Sequence, residues 1–288
     1  MTPGQKLPEE GRVFSLHQLP PGFLRSLDNP TRPPAPPRPS ATLVLLGEGK
    51  TGLEVLLLER SHRSRFIPGA WVFPGGAVDQ EDADPSILPR IHGITLESTE
   101  DRLRPRDPGP PAPAYWVAAL RETFEETGIL LHRSESGRNP APSRQRDAQG
   151  LARSRLLAGE MSFKEVLESL DLTLDAGALE YTGHWLTPEC EPRRYETRFF
   201  AAEIGRDALV SPFQAELVDA RWITPAAALE RNRQGGFPLV FPTLFTLEEL
   251  EPFRTPREAL DHLRQIPVPR RLPKLERTQG GISLRLGI

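Results

Sequence analysis

The chain has 288 residues, 38% of them apolar and 26% charged, which is enough for a substantial core in one large domain or two small ones. With 39 acids against 36 bases the net charge is −3, so there is no global electrostatic case for nucleic acid or an anionic membrane surface. The single cysteine, Cys190, excludes an internal disulfide, and no apolar run approaches the ~20 residues of a spanning helix. The N-terminus lacks a basic-then-apolar leader, and the final Leu286-Gly287-Ile288 is not a peroxisomal address. A cytoplasmic protein with no nucleic-acid or membrane partner is the expectation.

Prolines crowd residues 1–40, and the run Arg32–Pro39 admits only extended or polyproline II backbone. That stretch reads as a loosely held extension with a short helix near Ser15–Leu27. Ala41–Gly47 and Leu53–Glu59 are β-rich runs joined by Gly49-Lys50-Thr51-Gly52, a hairpin pattern. Trp71-Val72-Phe73 makes a short strand running into Pro74-Gly75-Gly76. A second proline cluster at 105–113 marks an insertion over about 79–112. Ala114–Leu131 reads as a helix, and about 133–160 as an irregular segment. A helix follows at Ser162–Leu170, then strands at Leu179–Leu186, Arg194–Ile204 and Leu217–Ile223. Helices are expected at Pro225–Asn232, Leu247–Pro252 and Pro256–Gln265. Thr224-Pro225 supplies an N-cap before a proline, and Thr255–Glu258 a capping box. Residues 266–288, with Arg270, Arg271, Lys274 and Arg277, read as a solvated basic tail after a main domain at 41–265. The irregular alternation of strands and helices predicts an α/β protein, a mixed sheet with helices packed on it.

On the Ala114–Leu131 helix, Glu122, Glu125 and Glu126 share an arc of about 100°, opposite Trp116, Val117, Leu120 and Phe124. An acidic arc of this kind is either a solvated helix face, costing a few tenths of a kcal/mol in repulsion, or a set of oxygen ligands for a hard divalent cation.

The context of that arc bears on the choice. Arg121-Glu122-Thr123-Phe124-Glu125-Glu126-Thr127-Gly128-Ile129, with Phe73-Pro74-Gly75-Gly76 upstream, resembles the signature of the Nudix hydrolases, G-x5-E-x7-R-E-U-x-E-E-x-G-U, where U is aliphatic. The glycine and arginine halves are separated by an insertion of about 31 residues. Thr123 takes the first aliphatic position. The early acid of the signature has no clear counterpart: Asp82 keeps the spacing from the glycine, while Pro113, which has no side-chain oxygen, occupies the spacing from the arginine. The split signature, with Leu186-Thr187-Pro188 and Pro192–Phe200, resembles the branch containing the peroxisomal coenzyme A diphosphatases.

The resemblance implies a Nudix fold, a mixed sheet between helices in α/β/α layers, with insertions and added C-terminal helices. It also implies hydrolysis of a diphosphate linkage with Mg²⁺ or Mn²⁺ held by Glu122, Glu125, Glu126 and a backbone carbonyl near Gly75. Arg121 then either orients the glutamates or touches phosphate. Gly75 and Gly76 allow backbone to approach phosphate or metal closely, or simply make a tight turn. Gly128 ends the acidic turn in the left-handed region. Glu216, in the loop before Leu217–Ile223, is the candidate general base. Period two on the strand Arg194–Phe200 puts Arg194, Glu196 and Arg198 on one face, either as a cationic pair for a polyanionic substrate or as a cross-strand ion-pair set. The expected partner is a small-molecule diphosphate, coenzyme A or acyl-coenzyme A first, then ADP-ribose, dinucleotides and nucleotide sugars. A Nudix-fold module that binds a nucleotide without turnover is the reading from another class, and homodimerisation stays open.

Overall fold

The computed structural model describes residues 12–15, 18–19, 23–29, 33–64, 67–103, 109–134, 142–205, 208–279 and 281–287. The chain begins with β1 (Arg12–Phe14) and α1 (Phe23–Asp28), then the long hairpin β2 (Arg38–Gly49) and β3 (Gly52–Arg60). Two short strands follow, β4 (Trp71–Val72) and β5 (Gly75–Ala77), and after them β6 (Ile91–His92) and the helices α2 (Leu96–Leu103) and α3 (Pro113–Thr127). Next come β7 (His132–Ser134), α4 (Pro142–Leu157), α5 (Phe163–Ser169), β8 (Leu172–Asp175), β9 (Glu180–Leu186), β10 (Tyr195–Glu203) and β11 (Leu217–Ile223). The C-terminal part is α6 (Pro225–Gln234), α7 (Phe241–Leu250), α8 (Pro256–Leu263), β12 (Arg270–Thr278) and β13 (Gly281–Gly287).

The hairpin is apolar on both faces because it lies inside the sheet, between β10 and β11, with helices packed above and below it. Leu43, Leu45, Leu56 and Leu58 pack with Trp116, Leu120 and Phe124 of α3 on one side. Val44, Leu46, Val55 and Leu57 pack with Leu244, Leu247 and Leu260 of α7 and α8 on the other. The result is the expected helix–sheet–helix layering. The sheet runs β1-β13-β12-β9-β10-β2-β3-β11, with β4 on β3 and β5 on β2. Within it, β10 pairs parallel with β2, Arg198 opposite Ala41. The caps read from the sequence are present: the Thr224 side chain accepts from Ala227 N–H, and Thr255 with Glu258 forms a capping box.

Several expectations need correction. The tail at 266–288 is instead the hairpin β12–β13, parallel through β12 to β9 and closed by β1 on β13. Its bases are engaged: Arg270 donates to Glu196 at 3.2 Å, Arg271 lies over Trp185, and Arg277 pairs with Asp28. Residues 142–157 of the expected irregular segment form helix α4, while 135–141 lie outside the described residues. The insertion supplies β6 and α2, and β6 joins β8 and β7 in a small three-stranded sheet; residues 104–108 of its proline cluster lie outside the described part. The helix foreseen near Ser15–Leu27 is found at Phe23–Asp28, the rest of that span being only partly described. Helix α3 stops at Thr127 rather than Leu131, because Gly128 turns left-handed at φ 78° and donates its N–H to Phe124.

Candidate active site

The acidic arc of α3 is largely covered and borders a cavity rather than forming an open solvated face. Strand β5 covers it, and Glu126 is only 6% exposed. A Cβ on Gly76 would stand 2.4 Å from the Glu122 carboxyl carbon, so a side chain there would displace that carboxylate. Gly75 N–H donates to Glu126 Oε2 at 3.0 Å.

Arg121 organises the rest. Its Nε and Nη2 donate to the two carboxylate oxygens of buried Asp82 at 2.8 and 2.9 Å, a planar fork on a carboxylate. Nη2 also reaches Ala77 O at 2.9 Å, and Nη1 donates to Glu122 Oε1 at 3.0 Å and Glu125 Oε1 at 3.1 Å. Arg121 thus makes the salt-bridge contacts to the glutamates that the first of the two sequence readings expects. Asp82, which the glycine-side spacing singled out, is the acid that fixes it. Thr123, standing where the signature has an aliphatic residue, is buried and satisfies its hydroxyl on Ala119 O at 2.7 Å.

The electrostatics follow from this packing. Burial opposes the charge of Arg121, but the Asp82 bond and the fields of Glu122, Asp82 and Glu125 raise its pKa further above the ordinary value. Burial pushes Glu122 up to about 7 against the pull of Arg121. Glu126 rises to about 8, through burial first and the charge of Glu122 second. Glu125 is raised for the same primary reason. The cluster holds more carboxyl groups than Arg121 can neutralise, and burial drives them toward the protonated form.

Among the described residues no three His, Cys, Asp or Glu side chains are already gathered in metal-holding geometry. The glutamates are held apart, two by Arg121 and one by Gly75 N–H. Their chemistry nonetheless fits a hard divalent cation: oxygen donors on one helical turn, desolvated, with surplus charge to offset.

These groups form the inner wall of a cavity of about 910 Å³. Gly75, Gly76, Arg121, Glu122, Glu125, Glu126 and Glu216 all line it, so the structure brings together most of the residues singled out in the sequence. Glu216 lies in a loop docked on the end of α3, where Ser211 N–H donates to Thr127 O at 2.8 Å and Phe213 N–H to Glu126 O at 3.0 Å. The lining also includes the aromatic side chains of Phe73, Trp185, Phe199, Phe213 and Phe241.

Arg194 and Arg198 are not brought there, which corrects the expected cationic pair. Arg198, 2% exposed, points to the α3 side of the sheet, bonded to Tyr181 and lying over the Tyr115 ring. Thr197 and Phe199, its neighbours of opposite facing, line the cavity. Arg194 is buried and donates to the carbonyls of Thr187 and Ala35. Glu196 accepts from His184 at 2.7 Å and from Arg270, so that face carries the ion-pair set. Among the described residues, the cations on the cavity wall besides Arg121 are Arg60 and Arg193. Arg193 directly precedes Arg194, and only the strand start at Tyr195 decides which of the two faces the cavity.

A sheet between helix layers, with a charge-clustered helix turn packed against a glycine strand beside a cavity, defines the Nudix class of fold. The family model for the NUDT19 Nudix domain matches residues 36–250. The acyl-coenzyme A diphosphatase NUDT19 of Homo sapiens is 32% identical over 254 residues, covering 78% of this chain and 67% of the relative. The Gallus gallus protein of the same name is 31% identical, covering 69% and 61%. The crystal structure of a Nudix hydrolase from Alicyclobacillus acidocaldarius aligns with a TM-score of 0.63 at 31% identity, over 81% of this chain and 99% of that one. The chain belongs to the NUDT19 Nudix family of Nudix hydrolases. It spans about two thirds or less of the length of the curated relatives it matches.

Proposed function

We propose that this chain hydrolyses the diphosphate of coenzyme A or an acyl-coenzyme A, with Mg²⁺ or Mn²⁺ as the ion. The observation that carries the reading is Arg121, fixed by Asp82 and holding Glu122 and Glu125 on the cavity wall beside Glu126. Glu122, Glu125, Glu126 and the Gly75 carbonyl would hold the ion. When bound, it offsets charge on the phosphoryl oxygens and lowers the pKa of a water.

The chain's own groups do the rest. Glu216, exposed at the cavity edge, accepts the proton of the attacking water. The water oxygen adds to phosphorus, the bridging P–O bond breaks, and the two products are 3′,5′-ADP and the phosphopantetheine. Gly76 leaves room for the Glu122 carboxylate on the cavity wall, and Arg193 and Arg60 supply cationic contacts to the diphosphate. The aromatic lining excludes water and receives the pantetheine arm. The names of the NUDT19 relatives support the same substrate class.

No helix among the described residues is long and apolar enough to cross a membrane. A cytoplasmic setting, with a reduced Cys190, and action on a free small molecule belong to the same proposal. Sedimentation at catalytic concentration distinguishes monomer from homodimer.

The test is kcat/KM for coenzyme A, acyl-coenzyme A, 3′-dephospho-coenzyme A and ADP-ribose with Mg²⁺ and with Mn²⁺. Coenzyme A or its acyl form is expected to lead. A tenfold preference for the dephospho form or ADP-ribose, about 1.4 kcal/mol in transition-state binding, overturns the substrate assignment. No turnover across a wider panel of nucleotide sugars and dinucleotides turns the reading to a nucleotide-binding module.

A further inference from the structure

The two glutamates at the end of α3 are each held at two points. Glu125 gives its side chain to Arg121 and its backbone carbonyl to Arg153, whose Nε and Nη2 donate at 3.0 and 2.6 Å. Glu126 gives its side chain to Gly75 N–H and its carbonyl to Phe213 N–H. The last carbonyls of a helix have no partner within it. Here that of Phe124 is met by Gly128 N–H, that of Thr127 by Ser211 N–H, and that of Glu125 by a guanidinium from α4, 28 residues on.

Among the described side chains of helix α4, few are apolar anchors at this end. Ala152 is buried in the core shared with α3 and Leu156 packs against it, while the neighbouring Leu151 is 66% exposed. Arg153 is therefore a main tie between α4 and the acidic turn. It also fits closely: a Cβ on Gly128 would stand 3.3 Å from Arg153 Nη1, so the glycine serves the turn and the guanidinium together. A cation at this point answers the negative end of the helix dipole as well as one carbonyl.

We propose that Arg153 is a positioning residue for the metal-binding turn. By clamping the Glu125 carbonyl it sets the pitch of the final turn, and thereby the direction in which the Glu125 and Glu126 carboxylates leave the helix. This rests on the diphosphatase reading above for its catalytic consequence, but not for its structural one. Arg153 does not line the cavity, so its removal leaves substrate contacts in place.

The experiment compares Arg153→Ala, Arg153→Gln and Arg153→Lys with the wild type. Three readouts are taken: amide exchange over 122–129 in metal-free protein, Mn²⁺ binding without substrate, and kcat and KM on the preferred diphosphate. Arg153→Ala is expected to speed exchange over 122–129 about tenfold, weaken Mn²⁺ about tenfold, and lower kcat 10–100-fold with KM within about threefold. Lysine, which keeps the charge, should recover more than glutamine. Wild-type exchange and Mn²⁺ affinity in Arg153→Ala overturn the proposal. So does a general loss of stability that leaves kcat per folded molecule unchanged. If Arg153→Ala does not fold, the lysine and glutamine variants decide: equal exchange and Mn²⁺ affinity in the two overturns the claim that the cation matters. If the wild type turns over no diphosphate, the function reading fails, while exchange and Mn²⁺ binding still test Arg153.

Discussion

Glu126→Gln tests the site through stability as well as rate. In the folded, metal-free chain the Glu126 carboxyl stands near 8, against 4.5 when free. A pKa raised by folding contributes stability that is complete below about 4.5 and lost as pH rises through 8. At 1.36 kcal/mol per unit, this group disfavours folding by about 4 kcal/mol at pH 8 and by less than about 1 kcal/mol at pH 5. Metal-free wild type should therefore lose about 3 kcal/mol between those two values from Glu126, and more in the same direction from Glu122. Glutamine keeps an acceptor for Gly75 N–H and removes the charge. Urea denaturation in chelator at pH 5 and pH 8 should show the variant losing clearly less. Mg²⁺ should restore the wild type at pH 8 and do little for the variant, whose turnover should fall at least a hundredfold. Equal pH dependence in the two proteins refutes the buried-carboxylate reasoning. Wild-type turnover in the variant refutes the site.

Asp82→Ala leaves the buried guanidinium of Arg121 without its main partner and should cost about 3–5 kcal/mol in denaturation midpoint analysis; a loss under 1 kcal/mol would deny the pair its anchoring role. Glu216→Gln should lose at least a hundredfold in kcat, and a loss below tenfold moves the base to another group. Gly76→Ala should stay folded, because the clashing atom is the movable end of Glu122, yet lose most activity and metal affinity, measured by Mn²⁺ titration. Glu196 is held down to about 2, by the His184 bond first, with Arg270 and Arg198 assisting against burial. Its stabilising contribution is full above about 4.5 and disappears as pH falls through 2, so the stability gap between wild type and Glu196→Gln should narrow over that range in acid denaturation.

The acidic turn was legible because helical periodicity and a tight motif are local: Arg121, Glu122, Glu125 and Glu126 lie within two turns of one helix. The hairpin, the caps at Thr224 and Thr255, and the left-handed Gly128 were legible for the same reason. Asp82 could be nominated but not chosen, since its bond to Arg121 spans 39 residues and passes through an insertion. Taken alone, the acidic arc read more readily as a solvated face, because angular position on a helix says nothing about what covers it. Strand β5 covers it, and that burial sets the charge state of Glu122 and Glu126. The alternation along Arg194–Phe200 identified two faces correctly but could not say which looked into the cavity. The parallel pairing of β10 with β2 decides it, sending Arg198 toward α3 and Thr197 and Phe199 toward substrate. The C-terminal bases likewise read as a solvated end, because the composition of β12 gives no sign that β9 waits with an open edge. Periodicity and spacing in this sequence determine elements and the residues sharing a face. Which face is covered, and by what, depends on contacts between segments far apart in the chain, where no local pattern records the partner.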